Sequence, residues 1–156
     1  MGRILFLGLL FQACFPSSPE TGVLEGQIAP RIEGVDLQGQ ERSTAGVEKP
    51  VLLVFWASWC LPCREEVPAV NALVETYGER VTILGINMGE SRAIASRVSE
   101  ELGMRYPSLL DAESSIASDW RVRTLPLGVV LDNKGRIQFR GHGLPPQPTV
   151  LLDGLL

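Results

Sequence analysis

Val54-Phe-Trp-Ala-Ser-Trp-Cys-Leu-Pro-Cys-Arg-Glu-Glu-Val-Pro68 joins two patterns within fifteen residues. Its start completes the apolar run Val51–Trp56, continuous over strand length, as expected of a strand buried on both faces. Its end opens a stretch in which Val67, Val70, Leu73, Val74 and Tyr77 recur at helical spacing until Gly78 stops it. Between them lie Cys60 and Cys63, two thiols separated by two residues at a strand-to-helix transition. That spacing can close a small disulfide ring.

A helix N-terminus stabilises a thiolate, so Cys60 is expected there, exposed, with Cys63 one turn inside and better buried. This asymmetry assigns Cys60 to attack a substrate disulfide and Cys63 to resolve the mixed disulfide. Pro62 suits the first helical turn, where its missing N–H removes no helical bond. Two other uses of the pair stay open: a staple at a helix end, or half of a metal site. So small a ring adds little stability as a staple. A metal would need two further ligands, and no second cysteine pair or histidine cluster supplies them.

Outward from this centre, strand and helix alternate. Ile32–Arg42 suggests a hairpin around Gln38-Gly39, and Val81–Ile86 a second buried strand. Ser91 caps a helix expected to bury Ile94, Val98 and Leu102, ended by Gly103. Ser114–Trp120 suggests a short helix. Leu127–Leu131 is a third strand, turned by Asn133-Lys-Gly135 into Arg136–Arg140. A short helix within Thr149–Leu156 closes the chain. The pattern predicts an α/β sandwich, a central mixed sheet flanked by helices in three layers.

The 156 residues allow one domain, and composition narrows its chemistry. Fourteen Lys and Arg against eighteen Asp and Glu give a net charge of −4, which offers no broad surface for nucleic acid. The single histidine, His142, rules out a multi-histidine metal site and is expected on the surface at a strand end. Of three cysteines, two are placed above, and Cys14 belongs to a different segment. Arg3, the apolar run Ile4–Phe11 and Ala13 form a secretory signal pattern over residues 1–13, too short to span a bilayer convincingly. Cys14 then stands where a bacterial lipoprotein carries its lipid. A cleaved soluble form and an uncleaved anchor are the alternatives. Residues 14–23 lack periodicity and suggest a tether, leaving 24–156 for the domain.

From about Gly26-Gln-Ile-Ala-Pro30 to Gly141 the chain resembles the TlpA/ResA-like extracytoplasmic thiol–disulfide oxidoreductases of the thioredoxin superfamily. The central stretch carries the likeness, with Gly85-Ile-Asn-Met-Gly-Glu-Ser91 and Thr124-Leu-Pro126. The resemblance implies a cis Pro126 standing against the Cys60–Cys63 pair, with the Leu125 backbone free to pair with an extended substrate segment. Trp59, Leu61 and Pro62 would line the same surface. One departure is Leu127-Gly128, where the family usually has a polar residue, so a more apolar groove is expected. The Glu90-Ser91 pair matches a family turn, for which helix capping is a sufficient role.

Glu66 lies one helical turn after Cys63, on a face the two can share. Its position matches a glutamate kept beside the thiols in the ResA-like group, where a half-buried carboxylate would accept the Cys63 proton. Val54 occupies the strand position where thioredoxins carry a buried aspartate. Arg64 and Glu65 are expected to be solvated. Leu61-Pro62 contains neither histidine nor lysine, so nothing local strongly stabilises the Cys60 thiolate, and the couple leans toward a reductant.

The implied task is reduction of disulfides in exported proteins, such as apocytochrome c, by a monomer with no bound cofactor. A membrane thiol donor would supply the electrons. Two rivals are a peroxiredoxin-like peroxidase and a Cu(I) metallochaperone or thiol-based binding module.

Overall fold

Residues 21–46 and 48–156 are described by the computed structural model. A small hairpin, β1 (Glu33–Val35) and β2 (Glu41–Ser43), precedes the central strand β3 (Val51–Trp56). Helix α1 (Leu61–Tyr77) leads to β4 (Thr82–Met88), and α2 (Arg92–Glu101) to the short strand β5 (Ser108–Asp111). Then follow α3 (Ser115–Asp119), β6 (Leu127–Leu131), β7 (Ile137–His142) and α4 (Pro148–Asp153). The main sheet has the order β5-β4-β3-β6-β7, parallel across β3, β4 and β5 and antiparallel across β3, β6 and β7. This is the expected mixed sheet with flanking helices, a thioredoxin-like α/β fold.

Strand β3 is buried along its whole length, and its period of two sorts its residues into separate cores. Val51, Leu53 and Phe55 pack with Leu84, Ile86, Leu109, Val129 and Ile137. Leu52 and Val54 pack on the opposite side with Val70, Leu73 and Tyr77 of α1 and Leu152 of α4. Phe55 lies fully buried with its ring centroid 5.9 Å from that of Trp120. Truncating it leaves a cavity that neighbouring strands cannot fill. Phe55→Ala is expected to cost about 3–5 kcal/mol, measured by the denaturation midpoint.

Three expectations need correction. Val23 is buried in the core, and Thr21 and Gly22 pair with Ile28, so the last part of the expected tether belongs to the domain. The buried face of α2 is Ala95 and Val98, while Ile94 is exposed. A small residue lets the helix approach Trp56, which turns the face by one residue. Strand β5 was not anticipated, because four residues with two apolar centres carry too little pattern. Pairing with β4 makes the strand.

Residues 1–13, Cys14 and the first part of the tether lie outside the described residues. Among the described residues no helix is long and apolar enough to cross a membrane.

Candidate functional site: a disulfide at the end of the central strand

Because β3 and β4 run parallel, their C-terminal ends deliver residues 57–60 and 89–91 to the same edge of the sheet. The chain leaves β3 through Ala57 and turns, with the Cys60 N–H bonded to the Ala57 carbonyl at 3.1 Å. Cys60 is the N-cap of α1, with extended backbone angles, and Pro62 sits in the first turn as expected. A disulfide joins Cys60 to Cys63, their Cα atoms 5.3 Å apart.

The expected contrast in exposure is absent: both cysteines are 4% exposed. They pack in an apolar cluster with Leu37, Trp56, Ala95 and Val98, and Leu125 lies against it. Trp59 and Leu61, the residues flanking Cys60, are instead 71% and 62% exposed. The N-cap geometry explains the inversion, since it turns the Cys60 side chain back over the helix start. There its Sγ accepts the Cys63 N–H at 3.2 Å. The two sulfurs therefore differ in hydrogen bonding and not in burial. Cys60 alone holds a backbone donor at the positive end of the helix, the arrangement that favours a thiolate.

The Leu125–Pro126 peptide bond is cis. The segment before it, Val122–Leu125, lines with Trp59 and Met88 an open depression of about 300 Å³ that reaches the residue before Cys60. Arg140, from β7, donates to the Trp120 carbonyl at 2.8 Å and so secures the turn into this segment. Leu127 does not line the depression as expected; its side chain belongs to the core. Gly128 is required by packing, since a Cβ there would run into the Gly143 carbonyl. The groove is mixed in character, with Arg123 and Thr124 beside its apolar residues.

Glu66 is half-buried on α1. Its Oε1 accepts the Leu144 N–H at 2.6 Å, while among the described residues the buried Oε2 has no hydrogen-bond partner. Among the described residues its carboxylate makes no hydrogen bond to Cys63. Burial raises the Glu66 pKa above its ordinary value, opposed by the Leu144 N–H and by the electrostatic influence of His142. His142 is at the exposed end of β7 as expected, yet close enough to act on Glu66. Below Glu66, burial and then the Glu66 charge push the Tyr106 phenol upward.

Gly143 explains how the backbone comes so close. Its φ is +71°, and a Cβ there would lie 2.5 Å from Glu66 Oε1 and 3.6 Å from Pro126 Cγ. Gly143→Ala is expected to cost about 1–2 kcal/mol from backbone handedness alone, with a further loss from the collision. Adding Glu66→Ala should recover the second part, measured as a double-mutant cycle in thermal stability.

Sequence reasoning missed one feature of the site. Glu90 does not cap α2; Ser91 does, accepting the Ile94 N–H. The Glu90 carboxylate instead accepts from the N–H and hydroxyl of Ser58 and from Asn87 Nδ2. The Asn-Met-Gly-Glu run was visible as a likeness, but nothing in its spacing pointed across to Ser58. The Arg64 and Glu65 side chains are exposed as expected.

A disulfide at a strand-to-helix turn, with a cis proline leading into β6 of the same sheet, defines a thioredoxin-fold thiol–disulfide oxidoreductase. The sequence profile of the AhpC/TSA family matches residues 26–140. The chain belongs to that family, as a TlpA/ResA-like member of the thioredoxin superfamily, and is a thiol–disulfide oxidoreductase working by dithiol exchange.

Thioredoxin-like protein YneN of Bacillus subtilis (strain 168) is 34% identical over 126 residues, 78% of this chain and 74% of that protein. Thiol-disulfide oxidoreductase ResA of Geobacillus thermodenitrificans (strain NG80-2) is 33% identical over 121 residues, 76% and 70% of the two chains. The crystal structure of the thioredoxin domain of a thiol-disulfide oxidoreductase from Bacteroides vulgatus superposes with a TM-score of 0.77 at 21% identity. It covers 86% of this chain and all of that one. That last likeness supports the fold.

Proposed function

We propose that this protein works outside the cytoplasm as a reductant of disulfides in particular exported proteins, apocytochrome c being one such substrate. In the reduced protein, the Cys60 thiolate attacks one sulfur of the substrate disulfide, forming a mixed disulfide and releasing one substrate thiolate. The Cys63 thiolate then attacks Cys60 Sγ, releasing the second substrate thiolate and closing the Cys60–Cys63 disulfide. Two electrons pass from the protein to the substrate, and a membrane-bound dithiol donor restores them. Glu66 takes the proton from Cys63 before the second attack.

The observation that carries the assignment of roles is the Cys63 N–H held on Cys60 Sγ at the helix N-terminus. Leu61-Pro62 adds no cationic side chain to stabilise that thiolate further, which supports a reductant over a strong oxidant. Leu125, Trp59, Leu61 and Pro62 form the surface offered to substrate, with Pro126 against the disulfide. Among solved structures similar to this chain is an exposed lipoprotein thioredoxin of Streptococcus pneumoniae strain TIGR4. That supports reading residues 1–13 as a signal and Cys14 as a lipid attachment point; the domain is proposed to act as a monomer.

Equilibration with thioredoxin of known potential tests the direction. A value near about −270 mV is expected, and one near about −120 mV would remove the reductase reading. Mass spectrometry of the chain purified from a bacterial membrane tests the lipid on Cys14.

A further inference from the structure

The loop that presents Cys60 is fastened by one acidic side chain from the neighbouring strand end. Glu90 follows β4 and reaches across to Ser58, two residues before Cys60. The Ser58 N–H donates to Glu90 Oε2 at 2.8 Å, the Ser58 hydroxyl donates to Oε1, and Asn87 Nδ2 donates to Oε2 at 2.8 Å. Asn87 is fully buried and sits opposite Trp56 in the β3–β4 register, so the acceptor is anchored to the sheet. Ser58 has no such anchor of its own: Ala57 is the last buried residue before the turn, and Trp59 projects into solvent.

We propose that Glu90 is a positioning residue for the redox site. It holds Ser58, and through it the Trp59–Cys60 turn, so that Cys60 Sγ stays over the Cys63 N–H. The inference rests on Cys60 being the attacking thiol. Its physical basis is that two hydrogen bonds from Ser58 to a carboxylate held by Asn87 fix the middle of a turn whose other backbone tie is the Cys60 N–H on the Ala57 carbonyl. Misplacing a reacting atom by about 1 Å costs up to about 100-fold in rate.

The geometry also separates clamping from charge. A glutamine at position 90 with its oxygen in the place of Oε2 still accepts from the Ser58 N–H and from Asn87 Nδ2, and its amide can donate to the Ser58 hydroxyl oxygen. Glu90→Gln therefore preserves the clamp without the charge, and Glu90→Ala removes it.

The test uses the full reduced chain and a small aromatic disulfide, dithiobis(nitrobenzoate), read by stopped flow well below the melting temperature of every variant. Glu90→Ala is expected to slow exchange about tenfold, with Glu90→Gln recovering most of the rate. Ser58→Ala should slow exchange less, and its effect should vanish in the Glu90→Ala background. Wild-type rates in Glu90→Ala, or Glu90→Gln as slow as Glu90→Ala, would overturn the proposal. If Glu90→Ala does not fold, an unchanged rate in Ser58→Ala does the same.

Alkylation mapping of the same samples tests the underlying role separately. Modification at Cys63 in place of Cys60 would overturn both readings. Modification at Cys60 with equal rates in wild type and Glu90→Ala would overturn only the role of Glu90.

Discussion

Cys63→Ser is expected to abolish turnover and to leave the protein joined to its substrate through Cys60. Without the second thiol nothing attacks the mixed disulfide from within, so the intermediate accumulates and survives non-reducing electrophoresis. Cys60→Ser should abolish turnover without any adduct, because the helix-start N–H is held on the Cys60 sulfur and, among the described residues, the Cys63 sulfur accepts no backbone N–H. The pair of variants therefore reads out the order of attack. Adducts on Cys63 in the Cys60→Ser protein, with none on Cys60 in the other, would reverse the assigned roles. The captured partners would also name the substrates, since a mixed disulfide is a covalent record of recognition.

Glu66→Gln should make the protein more stable at neutral pH and a poorer reductant. Burial lifts the folded-state pKa of Glu66 above its unfolded value near 4.5. Between those two values the native state binds more protons than the unfolded state, so stability falls as pH rises through that window. Above it the charged carboxylate remains as a cost, with Oε2 buried and, among the described residues, unpartnered. Glutamine keeps an acceptor for the Leu144 N–H and carries no charge, so that pH dependence disappears.

Melting temperatures from pH 4 to 8 should show the variant gaining on wild type as pH rises, by a few degrees at the upper end. Thiol titration should shift in the same variant, because a carboxylate near the pair disfavours a second negative charge. A variant with wild-type thiol titration would remove Glu66 from proton transfer, whatever its stability.

Much of this protein was legible along the chain because two periodicities meet at one point. Val51–Trp56 has no polar interruption, so it could only be a doubly covered strand. The 67, 70, 73, 77 spacing could only be a helix face, and Gly78 ends it as read. Cys60 and Cys63 sit between them, which places the chemistry at the junction of strand and helix.

Exposure was less legible. Cys60 was expected to be open because helix N-termini usually are, but its N-cap conformation turns the sulfur inward and leaves Trp59 outside. Leu127 was assigned to the groove from its position in a motif, yet strand parity sends it into the core. Ile94 and Ala95 differ by only one residue along α2, and contact with Trp56 chose the smaller.

By itself the sequence determined the order of elements, the central strand, the redox pair and the helix that begins at it. These follow from local patterning, in which each residue's role depends on neighbours a few positions away. Only the tertiary structure decided that Leu144 and Gly143 cover Glu66, and that Glu90 reaches back 32 residues to Ser58. Those contacts arise because parallel strands bring their ends together and because glycine lets one backbone approach another. A charged side chain in such a place carries no signature in its own surroundings along the chain. Its partner is set by where the sheet delivers it.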